Sequence, residues 1–284
     1  MRRYLAEFLA DPRVIELPRF LWLPILHGIV LRTRPAKSAA KYRLVWTEEG
    51  SPLAVHTARQ ARLLSQATGA RVEYAMRYGE PRIRSVLAKM SDPVVVPLYP
   101  QYSNSATGSV LDALPKGTDA IRDFHDHPGY IAALSSSIKD FWKKNGTVEK
   151  LVMSFHGLPQ RSVDRGDPYQ KQCLATASML ANALGLRKDE WAATFQSRFG
   201  AAKWLQPYTE PTLVDLARSG VDRVDVVCPG FVSDCLETLE EIGITARAAF
   251  MAAGGRDFRL IPCLNESPQW IEALGRIARR VPVP

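Results

Sequence analysis

Short apolar runs alternate along the chain with longer segments in which apolar residues recur at helical spacing. The runs are rich in Val, Ile, Met and Phe and are bounded by Gly, Pro or Asn, which is typical of buried parallel strands. Strands are predicted at 72–76, 93–98, 150–155, 191–197, 223–228 and 258–261, and helices at 3–9, 36–46, 52–67, 83–90, 130–145, 168–185, 210–220, 234–242 and 268–279. This alternation predicts an α/β protein with parallel sheets flanked by helices.

The predicted elements form two successive Rossmann-type α/β halves. The first is expected to cover 1–115 and the second 116–267, and the C-terminal helix 268–280 is expected to complete the first half. The sequence contains no Gly-x-Gly-x-x-Gly or P-loop motif. The common nucleotide-binding versions of this architecture therefore have no support.

Composition is that of an ordinary globular protein, with 46% hydrophobic and 23% charged residues in 284. The net charge of +8 comes without a run of five basic residues, so nucleic-acid binding is not expected, and an anionic ligand or membrane surface is favoured. The longest apolar run, 20–26, is too short to span a bilayer and does not resemble a signal peptide. A cytoplasmic protein is expected.

Cysteine usage gives no sign of a metal-binding motif. The chain has Cys173, Cys228, Cys235 and Cys263, with no Cys-x-x-Cys pair. Cys228 and Cys263 stand among apolar residues and are expected to be buried as small hydrophobic side chains.

His156 is expected at the carboxyl end of the predicted strand 150–155, followed by the turn Gly157-Leu158-Pro159. Open α/β sheets bind ligands beyond this edge, and a neutral histidine there can accept a proton. A turn histidine that bonds a nearby carbonyl group is the alternative.

Acidic residues follow the neighbouring strand 223–228. Asp234, Glu237 and Glu241 stand at i, i+3 and i+7, so a helix would place them on one face, where a cation would offset their repulsion. Asp234-x-x-Glu237 also fits a helix capping box, and both roles are compatible. The sequence therefore favours proton transfer and handling of a divalent metal at this edge.

Other polar and aromatic residues could surround a flat, anionic ligand. Tyr99 follows a strand of the first half, and Trp204 stands in an aromatic loop of the second. A set of residues near the apolar segment could bind carboxylates: Arg32, Arg34, Tyr42 and Ser51. His125 and His127 precede Pro128 at a spacing that does not fit a zinc site closely, and we expect them at the surface or at a domain boundary.

Several of these motifs together resemble the ferrochelatase family, which inserts ferrous iron into a porphyrin at the end of haem synthesis. They span nearly the whole chain: Trp46-Thr47-Glu48-Glu49-Gly50-Ser51-Pro52-Leu53, Tyr99-Pro100-Gln101-Tyr102-Ser103, Ser154-Phe155-His156-Gly157-Leu158-Pro159, Phe195-Gln196-Ser197-Arg198-Phe199-Gly200 and Pro229-Gly230-Phe231-Val232-Ser233-Asp234-Cys235-Leu236-Glu237-Thr238-Leu239. The set is specific, although no single motif is.

The resemblance implies two chelatase-type halves with protoporphyrin in the cleft between them and Fe²⁺ as the second substrate. It implies that His156 and Glu237 are catalytic and contact the metal, with Asp234 and Glu241 behind them. Residues expected to contact the porphyrin are Arg32, Arg34, Tyr42, Ser51, Tyr99 and Trp204. The segment 20–31, called the lip segment below, matches the edge through which porphyrin passes, and peripheral membrane contact is expected there.

The chain also departs from the family pattern. Asn104 stands where some members have the first cysteine of a [2Fe–2S] cluster, so no cluster and no organic cofactor are expected. The family usually has an apolar strand before the Arg2-Arg3-Tyr4-Leu5 helix, so the first strand of the first half is expected to be missing. A non-catalytic porphyrin- or haem-binding protein, or coproporphyrin as the substrate, are the alternatives. The oligomeric state is left open.

Overall fold

Helices surround two parallel sheets in the computed structural model, which describes residues 1–200 and 202–281. The α-helices in these ranges are α1 (Arg2–Leu9), α2 (Arg19–Ile25), α3 (Leu31–Val45), α4 (Pro52–Thr68), α5 (Ile83–Leu87), α6 (Ser109–Ala113), α7 (Pro128–Asn145), α8 (Gln160–Asp164), α9 (Tyr169–Leu184), α10 (Thr209–Arg218), α11 (Arg247–Ala252) and α12 (Pro268–Arg279). Further segments are π-helical: Leu26–Val30, Asn104–Gly108 and Glu237–Ala246. The strands are β1 (Val94–Val95), β2 (Asp119–Ala120), β3 (Lys150–His156), β4 (Trp191–Gln196), β5 (Arg223–Val227) and β6 (Asp257–Leu260).

The larger sheet has the order β4-β3-β5-β6, and all of its strands are parallel. Met153 and Phe155 of β3 pack into one buried cluster with Trp270 of α12, whereas Val152 packs into another with Phe250 of α11. Side chains that alternate between two covered faces explain why β3 is a continuous apolar run. The predicted strands 150–155, 191–197, 223–228 and 258–261 are confirmed within a residue or two at each end.

The smaller sheet is much shorter than predicted. Only Val94–Val95 of the predicted strand 93–98 pair with β2, because Pro93 and Pro97 lack the N–H groups that a ladder needs. The predicted strand 72–76 is wrong: among the described residues it forms no ladder, and only Met76 makes an isolated bridge, to Arg82. An apolar run becomes a strand only where a neighbouring strand satisfies its backbone groups.

α12 has the bounds that its pattern predicts and lies against both α4 and α7. That it completes the first half stays a prediction. The helix predicted at 234–242 has different bounds and a different type in the structure. It begins as a π-helix at Glu237 and continues through α11 to Ala252. The segment Glu237–Ala246 is called the long π-helix below.

Candidate active site

His156 is the last residue of β3, and its ring is half-buried against Phe231, with centroids 6.3 Å apart. Its Nδ1 lies 2.7 Å from the carbonyl oxygen of Gly157. A carbonyl oxygen can only accept, so this contact assigns the hydrogen of the neutral ring to Nδ1 and leaves a lone pair on Nε2. The predicted bond to a nearby carbonyl group is therefore present, and because it places the hydrogen on Nδ1, it leaves Nε2 free to accept a proton.

The turn after His156 packs tightly against the neighbouring strand. The Gly157 N–H donates to the carbonyl oxygen of Gln196 over 2.6 Å, and a Cβ at Gly157 would lie 2.6 Å from the same oxygen. The Trp204 indole lies 3.2 Å from the same Cβ position, and its Nε1 donates to the Phe199 carbonyl. Only glycine fits this turn without displacing its neighbours.

Glu237 begins the long π-helix, and its charge acts on the phenols of three tyrosines. Burial, with a contribution from the Glu237 carboxylate, raises the pKa of Tyr42 to about 12 and that of Tyr4 well above its ordinary value. Desolvation and, to a lesser extent, the same carboxylate also raise the pKa of Tyr99. These phenols therefore stay protonated at neutral pH and present hydroxyl donors near a carboxylate.

The other predicted acids are held by protein groups. Asp234 accepts hydrogen bonds from Thr238 Oγ1 at 2.9 Å, from Asn265 Nδ2 at 2.7 Å and from the Cys263 N–H. The predicted capping box is wrong, because the helix starts only at Glu237, its cap residue is Leu236, and Asp234 binds the side chain of Thr238 rather than a backbone N–H of the first helical turn. The predicted stripe is interrupted for the same reason, since Asp234 lies outside the helix.

Glu241 also contacts protein rather than open space. Its Oε1 accepts from the Ser197 N–H at 2.7 Å, and its Oε2 accepts from the Ser197 hydroxyl. In residues 1–200 and 202–281, the predicted set of His156, Asp234, Glu237 and Glu241 does not form a cluster of three close ligand atoms.

The groups predicted to contact porphyrin lie on different elements. Tyr42 and Arg34 are on α3, and the Arg34 guanidinium lies 4.7 Å from the centroid of the Phe199 ring, in the loop after β4. Ser51 immediately precedes α4, and Arg32 is exposed on α3. α3 also packs against the long π-helix, so the structure brings Tyr42 near Glu237.

Sequence reasoning missed Tyr4 and a buried polar cluster beside it. Asp11 accepts from Arg77 Nη2 at 2.5 Å, from the Tyr78 hydroxyl at 2.9 Å and from the Ser109 hydroxyl at 2.6 Å. Arg77 lies close enough to Tyr99 to affect its pKa. The only sequence signal was an aspartate next to a proline, which predicts a helix stop equally well.

A separate group of potential ligands lies away from these residues. Ligand atoms of Asp123, His125 and Asp126 are within 4.8 Å of one another. Asp123 is already bound to the His125 ring and to Arg122, at 2.9 Å each. These partners thus satisfy the carboxylate without a metal ion. His127 caps α7 by accepting from the Gly129 N–H, which is a structural role.

Comparison with known proteins decides the family. The family model described as ferrochelatase matches residues 1–281. Ferrochelatases from Bordetella pertussis (strain Tohama I) and Azoarcus sp. (strain BH72) are 54% and 52% identical to the chain, over 99% and 98% of its length and 83% and 82% of theirs. The chain belongs to the ferrochelatase family. The predicted membership is confirmed, and with it a metal-chelating enzyme.

Solved structures with low sequence identity share the ferrochelatase fold of this chain. CbiX, described as the terminal enzyme for biosynthesis of siroheme in denitrifying bacteria, is 17% identical, with a TM-score of 0.51 over 86% of this chain and 94% of that one. SirB from Bacillus subtilis, solved with Fe³⁺, is 14% identical, with a TM-score of 0.57 over 82% and 92%. The predicted chelatase-type α/β fold is confirmed.

Proposed function

We propose that this ferrochelatase-family chain inserts ferrous iron into protoporphyrin IX to form haem. In this reaction two pyrrole N–H bonds break, nitrogen–iron bonds form and two protons leave. No electrons are exchanged, so no organic cofactor is required. The observation that carries the proposal is the lone pair on His156 Nε2. It lies at the carboxyl edge of the larger sheet, where α/β proteins bind ligands, in a chain of the ferrochelatase family.

His156 accepts the pyrrole protons. Its ring orientation is fixed by the Gly157 carbonyl and by packing against Phe231, so Nε2 keeps one direction during the reaction. A positioned general base typically contributes about 10²–10⁴-fold to a rate.

Glu237 either guides the metal to the porphyrin or carries away the protons that the reaction releases. The protonated phenols of Tyr4, Tyr42 and Tyr99 lie near its carboxylate and can donate hydrogen bonds to it when it is ionised. Asp234 and Glu241 are bound to Asn265 and Ser197, and they contact the metal only if those bonds are exchanged.

The porphyrin lies between the two halves, with its propionates near α3 and the start of α4. Arg32 and Arg34 can form charge-assisted hydrogen bonds with carboxylates, and Tyr42 and Ser51 supply hydroxyl donors. Tyr99 and Trp204 provide aromatic surface for the macrocycle. Protoporphyrin, with two propionates and two vinyl groups, suits the apolar lip segment better than coproporphyrin, with four propionates.

The lip segment rests on a membrane surface. Trp22 and Leu26 turn inward, whereas Phe20 and Ile29 are 76% and 60% exposed. No helix among the described residues is long and apolar enough to cross a membrane. Exposed apolar groups beside Arg19 and Arg32 fit shallow contact with an anionic cytoplasmic leaflet.

The test is metal insertion by the whole chain and by His156→Ala, with porphyrin binding measured on the same samples. Insertion of zinc or anaerobic Fe²⁺ should fall about 10²–10⁴-fold in the variant, while the protein still quenches porphyrin fluorescence. His125→Ala, which removes a histidine already paired with Asp123, is the matched control and should turn over normally.

Two outcomes would overturn the proposal. Normal turnover by His156→Ala would remove the assigned base. Porphyrin binding without insertion by the unsubstituted chain would favour the non-catalytic alternative. Faster insertion into coproporphyrin than into protoporphyrin would change the assigned substrate, while the assigned reaction, metal insertion, would stand.

A further inference from the structure

Gln196, the last residue of β4, occupies a junction between the two proposed catalytic residues. It is 5% exposed and lies opposite His156 in the register of β3 and β4. Its Oε1 accepts from the Ser154 hydroxyl at 2.7 Å, and its Nε2 donates to the backbone carbonyl oxygen of Glu237 at 2.8 Å. The side chain thus joins the strand that ends in His156 to the first residue of the long π-helix.

The amide of Gln196 has one possible orientation in this network. The Glu237 carbonyl can only accept, so it requires the NH₂ group. The Oε1 faces two donors, the Ser154 hydroxyl of β3 and the thiol of Cys228 just after β5, the latter at 3.8 Å. Both ends are therefore satisfied and both are buried, which fixes the amide plane.

The next residue holds the same helix at a second point. The Ser197 N–H and hydroxyl bind the carboxylate of Glu241, which lies one turn along the long π-helix from Glu237. Ser197 has a φ of +65°, a conformation that non-glycine residues adopt only when their surroundings enforce it. Two consecutive residues at the end of β4 therefore fix both the position and the rotation of the helix start.

We propose that Gln196 is a positioning residue for metal insertion, which acts by placing the Glu237 carboxylate relative to His156. The Gln196 amide binds the backbone carbonyl of Glu237, which is attached to the same Cα as the Glu237 side chain. Movement of that amide would therefore displace the carboxylate. Displacement of a reacting group by about 1 Å can reduce a rate about 10²-fold. This inference rests on the proposed function, because it needs both His156 and Glu237 in the reaction.

The test is a double-mutant cycle in the full chain. Gln196→Met keeps a similar length and volume and removes the amide. It is compared with Glu237→Gln, with the double variant and with the unsubstituted chain. Steady-state zinc insertion (kcat), porphyrin affinity and thermal midpoint are measured for each. Gln172→Met is the matched control, since Gln172 is also buried and its Oε1 binds the Tyr102 N–H.

Gln196→Met should lower kcat about 10- to 100-fold, with porphyrin affinity unchanged within about twofold. In the Glu237→Gln background the same substitution should change the rate less than about twofold, because the carboxylate that Gln196 positions is gone. Gln172→Met should leave kcat unchanged. If Glu237→Gln has no measurable rate, Glu237→Asp replaces it as the background, and a much smaller effect of Gln196→Met is still expected there.

Equal rate losses in both backgrounds would show a purely structural role and overturn the inference, as would an unchanged kcat in Gln196→Met. If Gln196→Met does not fold, Gln196→Glu takes its place, because it keeps an acceptor for Ser154 and replaces the amide donor. The two proposals fail separately. Normal turnover by His156→Ala and Glu237→Gln would remove the proposed site. If both variants are strongly slowed and the effect of Gln196→Met is the same in the Glu237→Gln or Glu237→Asp background, only this inference fails.

Discussion

Lys41 Nζ lies 2.9 Å from Glu240 Oε2, so a salt bridge joins α3 to the long π-helix. The Glu240 side chain is only 7% exposed, and its other oxygen accepts from the Thr245 hydroxyl at 3.1 Å. α3 also carries Tyr42 and Arg34. This contact therefore ties the helix that carries the proposed propionate-binding groups to the helix that begins at Glu237.

Lys41→Met should destabilise the fold by about 1–3 kcal/mol, because it leaves the buried Glu240 carboxylate without its cation. The free energy of unfolding in urea measures the effect. Adding Glu240→Gln to Lys41→Met should recover part of the loss, since the unpaired charge is then removed. A double variant less stable than Lys41→Met would show that Glu240 has a further essential partner.

Glu237→Gln and Asp234→Asn should have opposite effects. Glu237→Gln should lose most of its turnover with little change in thermal midpoint. Asp234→Asn should lose about 1–3 kcal/mol of stability, because an amide NH₂ would face the donors of Cys263 and Asn265, but the folded fraction should remain active. Rate and midpoint are measured on the same samples. Loss of turnover in folded Asp234→Asn would instead support the predicted metal-handling role of Asp234.

Gly157→Ala should be destabilising and should slow insertion. Its Cβ would lie 2.6 Å from the Gln196 carbonyl oxygen, so the turn that orients the His156 ring must move. Overpacking of this kind costs about 1–3 kcal/mol. Gly28→Ala is the control: its Cβ meets no atom within 4 Å, and alanine should stabilise that helical site by up to about 1 kcal/mol. Equal midpoints for the two variants would contradict the close contact.

Membrane contact through the lip segment should depend on its exposed apolar residues. Phe20→Ser combined with Ile29→Ser should reduce co-sedimentation with vesicles that contain anionic lipid, with no change in the thermal midpoint, because both side chains are exposed. Leu174→Ser is the control, since Leu174 is exposed on α9. Equal binding by all three proteins would place the membrane contact elsewhere.

Asp11 should make stability sensitive to acid. Desolvation by burial acts to raise its pKa, but hydrogen bonds from Ser109 and Tyr78 and the charge of Arg77 outweigh it, and the folded pKa lies below the ordinary 3.8. A lowered folded pKa stabilises the fold above the unfolded value, and this contribution is lost as the pH falls through the folded pKa. The stability difference between the unsubstituted chain and Asp11→Asn should therefore shrink below about pH 4. Asp112→Asn, at an exposed carboxylate, is the comparison, and a difference that is constant with pH would contradict the prediction.

The sequence by itself determined the elements whose signal is local. The apolar run of β3, with Gly157 and Pro159 after it, was enough to predict a buried strand that ends at His156, because both faces of that strand are covered. The bounds of α12 followed from its amphipathic pattern and from Pro268. The combined motifs likewise identified the family.

Only the tertiary structure decided what depends on distant partners. The run 72–76 has strand-like residues, but it lies beside no strand that would satisfy its backbone among the described residues. Asp234 lies before the long π-helix and binds Cys263 and Asn265 as well as Thr238, and no spacing rule predicts the two distant partners. The charge of Glu237 acts on Tyr4 because α1 and the long π-helix both pack against α3, and neighbours of this kind are set by packing rather than by local pattern.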